Sequence, residues 1–201
     1  MIAVVDYGAG NLHSVKNALD YLGADSIVTD NKDIILSADK VILPGVGAFG
    51  DAMDCMNRCG LVDCVKQAMN SGKPFLGICL GLQLLFESSD ESVGAKGLGY
   101  FKGKSEKIPS NGLKIPHMGW NSLVYNKESK LFKGIGEEPF VYFVHSYYIV
   151  PGDESIVSAY TDYGMRLPVA VQKDNVYALQ FHPEKSGKTG MKMLTNFIKE
   201  V

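Results

Sequence analysis

A single cysteine lies between two glycines in the stretch Gly77-Ile78-Cys79-Leu80-Gly81, where one apolar run ends and another begins. The preceding residues are typical of a short buried strand, and the leucines that follow recur at helical spacing. This G-x-nucleophile-x-G pattern is typical of a sharp turn that exposes its central side chain. Free N–H groups at the start of the helix favour the thiolate of Cys79, and the N–H of Leu80 is positioned to stabilise an oxyanion. A merely buried thiol is the alternative, and a partner base is needed to decide between the two.

The segment Phe181-His182-Pro183-Glu184 supplies a candidate base. His182 follows an apolar run and is expected at a strand end, and Glu184, two residues on in extended chain, can turn to the same side. A carboxylate bonded to one ring nitrogen orients the imidazole and stabilises its cation, which leaves the other nitrogen to exchange a proton with a thiol. Alone, the pair has an ordinary alternative as a solvated loop histidine beside an unrelated glutamate. Joined to Cys79, it predicts a Cys-His-Glu triad.

Two further features support a site at the same place. Residues 41–47, VILPGVG, read as a strand that runs into a glycine-rich turn, whose exposed N–H groups can supply a second oxyanion donor. Gln83 lies one helical turn after Cys79 and is expected to point to the same side, where it can hydrogen-bond polar groups of a substrate. An ordinary loop and an incidental helix glutamine are the alternatives at these two places.

The elements that must position these residues fall into two halves. Strand patterns (IAVVD, SIVTD, KVILPGVG, PFLGI) alternate with helical stretches over about 11–22, 49–58 and 61–71, which predicts an α/β fold with a mainly parallel central sheet and helices on both faces. The second half has closely spaced strand patterns divided by turn residues, which predicts an antiparallel extension, and a last helix over about 187–199. We predict one domain over residues 1–201. In open sheets of this kind, ligand sites gather at the carboxyl ends of the strands.

The composition excludes several classes of function. The formal net charge is −2, without the clustered basic stripe that nucleic acid or an anionic membrane would select. The short apolar run at the start predicts a first strand rather than a signal peptide, and no segment approaches the length of a membrane span. We therefore expect a cytoplasmic protein.

The other cysteines and histidines are not expected to bind a metal. In a cytoplasmic chain of this size the four cysteines favour reduced thiols over disulfides. Cys55, Cys59 and Cys64 recur at roughly helical spacing with no histidine nearby, which favours helix packing over a zinc site. Structural or interface roles are favoured for the three histidines that lie far apart in the sequence: His13, His117 and His145. We predict neither a metal nor a cofactor.

With these residues assembled, the chain resembles the class I, triad-type glutamine amidotransferase domains over essentially its whole length. The two signature blocks that carry the resemblance are GICLGLQLLFE and FHPEKS, and together they are highly specific. Within that class, the PGVG turn, the PHMGWN segment and YFVHSY are similar to the glutaminase subunits of imidazole glycerol phosphate synthases, which serve histidine biosynthesis. The resemblance implies a flavodoxin-like fold and hydrolysis of glutamine to glutamate and ammonia. It also implies a heterodimer with a separate (β/α)8 cyclase subunit, which receives the ammonia.

The resemblance further implies roles for single residues. Cys79 would attack the glutamine amide to form a thioester, while His182, acting with Glu184, would protonate the departing ammonia and activate water. The oxyanion would be held by Leu80 and by the turn at Val46 and Gly47. Our hypothesis for a gate is a peptide flip in residues 44–47 that aims an N–H at the oxyanion. The glutamine would be held by Gln83, Ser146 and Tyr147. The expected contacts with the cyclase are Asn11, Met118, Trp120, Asn121, Tyr142 and Lys185, although a buried anchor is an equal alternative for the tryptophan.

Three alternatives remain at the level of the sequence. The first is a glutaminase for another ammonia-using synthase, in the pyridoxal phosphate or purine pathway. The second is a dinucleotide-binding module, suggested by Tyr7-Gly8-Ala9-Gly10 after the first strand, although His13 stands where the third glycine of that fingerprint belongs. The third is a catalytically inactive interaction subunit, against which the intact triad residues argue.

Overall fold

The computed structural model describes residues 1–110 and 112–201 of the chain. Its strands are β1 (Ile2–Val5), β2 (Ser26–Thr29), β3 (Lys40–Gly45), β4 (Phe75–Cys79), β5 (Ser88–Ser89), β6 (Gly103–Lys107), β7 (His117–Ser122), β8 (Val124–Tyr125), β9 (Phe140–His145), β10 (Tyr147–Pro151), β11 (Val157–Asp162), β12 (Arg166–Lys173) and β13 (Val176–Leu179). Its helices are α1 (Leu12–Tyr21), α2 (Lys32–Ser37), α3 (Phe49–Arg58), α4 (Val62–Asn70), α5 (Leu80–Leu84) and α6 (Gly187–Lys199). Within the described ranges, no helix is long and apolar enough to cross a membrane.

The largest sheet has the strand order β2-β1-β3-β4-β13-β12-β11-β8. The first five strands pair in parallel, and β12, β11 and β8 add to them antiparallel. The parallel part follows the 2-1-3-4-5 order of flavodoxin-like sheets, with β13 in the fifth place. The predicted α/β class, with a parallel sheet and an antiparallel extension, is confirmed.

Apolar clusters cover both faces of this sheet, because successive strand side chains point to opposite sides. On one face, Ala3 and Val5 of β1 pack in a cluster with buried residues of α2, α3 and α4. On the other face, Ile2 and Val4 pack in a second cluster with buried residues of α1 and α6. The prediction of helices on both faces is therefore confirmed, and the two layers hold the sheet edge that carries the site.

Several details differ from the sequence-based expectation. β13 pairs in parallel with β4 and so belongs to the parallel part, whereas the sequence pattern predicts an antiparallel strand there. Two smaller sheets, β10-β6-β5 and β7-β9, stand apart from the large one. The short helix α2 was not predicted, although the Asn31 side chain caps it by accepting hydrogen bonds from the backbone N–H groups of Asp33 and Ile34.

Candidate active site

The carboxyl ends of three neighbouring parallel strands meet at one edge of the large sheet. Gly45 at the end of β3 lies opposite Cys79 at the end of β4. On the other side of β4, Leu179 at the end of β13 lies opposite Ile78. Because His182 follows β13 closely, this pairing brings it to the same edge as Cys79 despite their distance in the sequence.

The backbone at Cys79 has the sharp turn that the sequence pattern predicts. Its φ and ψ angles are 57° and −112°, in a region that non-glycine residues rarely occupy. Backbone strain of this kind costs about 1–3 kcal/mol and persists only where the surrounding structure enforces it. The flanking glycines permit the turn: a Cβ at Gly77 would lie 2.9 Å from the carbonyl oxygen of Gly81, and a Cβ at Gly81 would lie 2.0 Å from that of Leu43.

The helix that follows the turn is shorter than its run of leucines indicates. It spans only the five residues Leu80–Leu84, all of them buried. A helix dipole grows with the number of aligned peptides, so a helix of this length contributes little dipole at Cys79. The unpaired N–H groups of the first turn remain, since they have no acceptors within the helix.

His182 is held by a carboxylate from its own turn. Its Nδ1 lies 2.8 Å from Oε1 of Glu184, and the two side chains are 3% and 1% exposed. The backbone of β9 fixes the turn, because the N–H of His182 donates to the carbonyl of Tyr142 and the N–H of Tyr142 donates to Oγ of Ser186. Nε2 of His182 has no hydrogen-bond partner among the described residues, and the imidazole lines the same cleft as Cys79.

The environment of His182 favours its charged form. Burial lowers the pKa of the imidazole, but the nearby Cys79 thiol and the hydrogen-bonded Glu184 carboxylate outweigh burial and raise the pKa to about 9. The geometry therefore couples the protonation of His182 to the thiol and to the carboxylate.

A pH-dependent contribution to stability follows from this pKa. The native protein binds the His182 proton more tightly than the unfolded chain, so this contribution is fully present below about pH 6.5 and is lost as the pH rises through about 9. We expect the difference in unfolding free energy between wild type and His182→Asn to shrink over that range, as measured by urea denaturation at a series of pH values. The matched control is His13→Asn at an exposed histidine. A difference that grows with pH would contradict the coupling.

A cleft of about 330 Å³ opens at this edge of the sheet. Besides Cys79 and His182, it is lined by all of the residues that were predicted to hold the oxyanion or the substrate: Val46, Gly47, Leu80, Gln83, Ser146 and Tyr147. Glu184 lies behind His182. The structure thus brings together every predicted catalytic, oxyanion and substrate residue.

Other residues of the cleft were not predicted to line it: Glu91, Pro116, Val144 and His145. Glu91 is the one carboxylate in the lining, and its Oε2 accepts a hydrogen bond from the N–H of Phe49 at 2.8 Å. No local pattern marks Glu91, since it lies in a polar loop. His145 directly precedes Ser146, a predicted substrate residue, so the sequence does contain a signal that His145 lies near the site.

The hydrogen bonds of Gln83 define what it can offer a ligand. Its Nε2 donates to the carbonyl of Tyr147 at 3.2 Å and to Oε1 of Gln180 at 3.0 Å. Both amide hydrogens are therefore engaged, which leaves Oε1 as the group available to the cleft. Gln83 is expected to accept a hydrogen bond from a ligand N–H rather than to donate one.

The two buried histidines near the cleft form a pair. Nδ1 of His117 lies 2.9 Å from Nε2 of His145, and Nδ1 of His145 lies 2.9 Å from the carbonyl oxygen of Tyr147. Burial lowers the pKa of His117 to about 4 and that of His145 to about 3, so both are neutral near pH 7. This arrangement agrees with the structural alternative of the structural or interface roles that are predicted for these two histidines.

An exposed face lies beside the cleft on β7 and β9. Met118 and Trp120 are 60% and 55% exposed, so the tryptophan is not a buried anchor. Trp120 packs edge-to-face on Tyr142 across the two strands, with ring centroids 6.2 Å apart. Lys185 is exposed in the turn after Glu184, and Asn11 precedes α1.

Asn121 differs from the other predicted contacts with a partner. It alternates with Trp120 along β7, and its Nδ2 donates to the carbonyl of Asp162 at 2.9 Å and approaches Nε2 of His117 at 3.4 Å. Its amide is thus engaged on the inner face of the strand. We leave Asn121 out of the exposed face for this reason.

The cysteines outside the cleft are free thiols in different environments. Cys64 is buried and packs in the core as predicted, whereas Cys59 is exposed and so does not serve helix packing. Across residues 1–110 and 112–201, no group of three or more histidines, cysteines and acids is arranged to hold a metal ion.

Comparison with known proteins agrees with the geometry of the site. Residues 3–201 match the family model for glutamine amidotransferase class-I. The chain is 53% identical to the imidazole glycerol phosphate synthase subunit HisH of Aquifex aeolicus, over 96% of this chain and 94% of that protein. It is 49% identical to the subunit of the same name from Methanothermobacter thermautotrophicus, over 99% and 98% of the two chains.

Solved structures share the fold at lower identity. A glutamine amidotransferase crystal structure superposes with a TM-score of 0.76 at 21% identity, over 99% of this chain and 98% of that one. The structure of PurLQS from Thermotoga maritima gives a TM-score of 0.76 at 23% identity, over 99% and 97% of the two chains. At these identities the likeness concerns the fold alone.

Proposed function

The chain belongs to the class-I glutamine amidotransferase family, and from this premise we propose that it is the glutaminase subunit of an imidazole glycerol phosphate synthase. It would hydrolyse L-glutamine to glutamate and ammonia and pass the ammonia to a (β/α)8 cyclase subunit in histidine biosynthesis. The relatives of about 50% identity over nearly the whole chain support this assignment. Because residues 3–201 belong to this family, we reject the dinucleotide-binding hypothesis that Tyr7-Gly8-Ala9-Gly10 suggests.

The observation that carries the catalytic part of the proposal is the convergence of a strained cysteine and a carboxylate-bound histidine at one cleft. Cys79 has the strained elbow backbone, and Nε2 of His182 is buried without a hydrogen-bond partner among the described residues; both side chains line the same cleft. Glu184 binds the other ring nitrogen and so fixes the tautomer and orientation of the imidazole. A nucleophile, a base and an orienting acid are the parts that acyl transfer requires.

In the first half of the proposed reaction, the thiol proton of Cys79 passes to Nε2 of His182, and the thiolate attacks the side-chain carbonyl carbon of glutamine. The developing oxyanion accepts hydrogen bonds from the N–H of Leu80 and from the turn at Val46 and Gly47. One such donor is worth about 3 kcal/mol in the transition state. The intermediate collapses when His182 returns the proton to the leaving nitrogen, so that ammonia departs and a thioester remains.

In the second half, water attacks the thioester carbon while Nε2 of His182 takes one of its protons. Collapse of the second tetrahedral intermediate breaks the carbon–sulfur bond, releases glutamate and restores the Cys79 thiolate and the His182 cation. Glu184 accepts the Nδ1 hydrogen throughout and stabilises the cation. These steps transfer protons and an acyl group only, so the chemistry needs no cofactor.

The cleft supports recognition of a free amino acid. We assign the α-ammonium group of glutamine to the neighbourhood of Glu91, the one carboxylate of the lining, and a substrate N–H to the free Oε1 of Gln83. The backbone at Ser146 and Tyr147 lies along the same wall and offers further polar groups.

We assign the cyclase to the exposed face formed by Met118, Trp120 and Tyr142, with Lys185 and Asn11 nearby. Exposed apolar side chains beside a cleft favour a protein contact, and Trp and Tyr are frequent anchors of interfaces. The backbone of Tyr142 also holds the turn of His182, so this face touches the triad directly. A peptide flip in residues 44–47, next to the cleft, is the gate that we propose to respond to the partner.

The experiment that tests the proposal combines the purified chain with its cyclase. We expect the two to co-purify, and we expect the cyclase with its nucleotide substrate to accelerate glutamine hydrolysis by well over threefold. Trp120→Ala should weaken the complex roughly tenfold or more. Val124→Ala, at a residue that is 57% exposed on β8, is the matched control and should leave the affinity unchanged.

Two outcomes would redirect the proposal. Co-purification with a synthase of the pyridoxal phosphate or purine pathway would assign the ammonia elsewhere and leave the glutaminase chemistry intact. An acceleration below about threefold would contradict the gate. We further propose that residues 1–201 act as one domain and that the protein is cytoplasmic, which its free thiols support.

A further inference from the structure

We propose that Gln180 is a catalytic residue, whose amide N–H stabilises the thiolate of Cys79, an inference that rests on the proposed glutaminase function. Its Nε2 lies 3.8 Å from Sγ of Cys79, within the range of hydrogen bonds to the large sulfur atom. The side chain is fully buried, so solvent does not compete for this donor. No pattern in the sequence marked Gln180, which is two residues before His182.

The orientation of the Gln180 amide is fixed by its neighbours. The carbonyl of Tyr147 can only accept a hydrogen bond, so the Gln83 atom that contacts it must be the amide nitrogen. That nitrogen can only donate, so the atom of Gln180 that contacts it must be the amide oxygen. The remaining polar atom of Gln180 is therefore its NH2 group, which faces the sulfur.

The start of this chain of hydrogen bonds is itself held in place. Nδ1 of the neutral His145 contacts the same Tyr147 carbonyl and donates its hydrogen to it. His145 in turn contacts His117 through its other nitrogen, and both rings are buried. The Tyr147 carbonyl is thus bonded by two donors, and it cannot turn away without leaving them unpaired. The donor at Gln180 is preorganised for the same reason.

A donor at this place acts on the reacting atom. An N–H aimed at sulfur stabilises an anion more than a neutral thiol, because hydrogen bonds to charged acceptors are the stronger ones. The sulfur then has two stabilising partners in the ion-pair state, the cation of His182 and the amide of Gln180. Because Gln180 also binds Gln83, one buried side chain links the nucleophile to a residue of the substrate site.

Alkylation of the cysteines by iodoacetamide tests the inference without glutamine turnover. Rates are followed for each cysteine by peptide mass mapping across a pH series, since only the thiolate reacts. In Gln180→Met, which keeps the volume and removes the donor, we expect Cys79 to be alkylated about tenfold more slowly at pH 7, with the pH profile displaced to higher pH by about one unit. The exposed Cys59 is the internal control in every sample and should not change.

Two further variants complete the design. Gln180→Glu retains an oxygen that can accept from Gln83, and it turns a carboxylate oxygen toward the sulfur. We therefore expect the alkylation of Cys79 to be slower in Gln180→Glu than in Gln180→Met. If the methionine variant does not fold, the glutamate variant tests the inference in its place. Gln172→Met removes an amide of the neighbouring strand β12, where Gln172 contacts Ser129 and Tyr177, and should leave Cys79 unaffected. Equal alkylation of Cys79 in wild type and in a folded Gln180 variant would overturn the inference alone. A wild-type Cys79 whose alkylation follows the same pH profile as that of Cys59 would overturn the activated thiol, and this inference with it.

Discussion

Replacing Cys79 by alanine is expected to lower glutamine hydrolysis by at least about 10⁴-fold, because loss of a nucleophile removes the covalent route and leaves only the residual effect of binding. The strained elbow belongs to the cleft that His182 also lines, where Cys79 provides the one sulfur atom among the described residues. The rate of ammonia release from glutamine in the complex with the cyclase measures the effect. The fold should survive, since alanine keeps the Cβ and the side chain is small.

A glutamine-mimicking diazoketone provides the matching chemical result. We expect one adduct, on Cys79, in the wild-type protein and in Cys59→Ala, and none in Cys79→Ala. The Cys59 variant is the control because that residue is exposed and does not line the cleft. Adducts spread over Cys55, Cys59 and Cys64 would contradict an activated thiol, and unchanged turnover in Cys79→Ala would favour the inactive-subunit alternative together with a contaminating glutaminase.

The second large effect is expected at Gly81, where alanine should both destabilise the protein and disable it. A Cβ at this position would lie 2.0 Å from the carbonyl oxygen and 3.1 Å from the carbonyl carbon of Leu43, in the backbone of β3. Alanine improves helix propensity by about 1 kcal/mol, but forcing β3 away costs about 3 kcal/mol or more, so we expect a net loss of about 2 kcal/mol. A shift of the elbow by an ångström should lower kcat roughly hundredfold.

Gly72→Ala separates this clash from ordinary glycine strain. Gly72 has a φ of +81° and no atom within 4 Å of the position of an added Cβ. Alanine there costs about 1 kcal/mol through the left-handed backbone and should leave kcat unchanged. Urea denaturation and glutaminase assays of both variants give the comparison. If Gly81→Ala unfolded at the same urea concentration as Gly72→Ala and kept its kcat, the close approach of β3 to α5 would not constrain the elbow.

The layout of the parallel sheet could be predicted because its determinants are local. The run IAVVD and the helix over residues 187–199 carry their periodicity in adjacent residues, and the structure places β1 and α6 there. The pairing of β13 with β4 could not be read in this way. Its choice of neighbour depends on packing between residues far apart in the sequence, and the same short apolar run suits a parallel or an antiparallel partner.

The residues of the site likewise fall into those with a local sequence pattern and those placed by tertiary contacts. Cys79 and His182 stand in patterns whose chemistry is visible in a few residues, so the sequence predicts them. Glu91 and Gln180 have no such pattern. Each acquires its place from tertiary contacts, Glu91 through the N–H of Phe49 and Gln180 through Gln83 and the sulfur. Single residues whose partners lie far along the chain leave no local signal.

The insertion of β13 between β4 and β12 has a consequence for the timing of synthesis. The strand that brings the histidine beside the cysteine lies far downstream of β4 in the chain and so leaves the ribosome well after it. Until then, the nascent chain can form β1 to β4 and their helices, with the thiol on an open sheet edge and no base beside it. Newly made protein therefore becomes competent for the proposed chemistry only after β13 has been synthesised and has paired with β4.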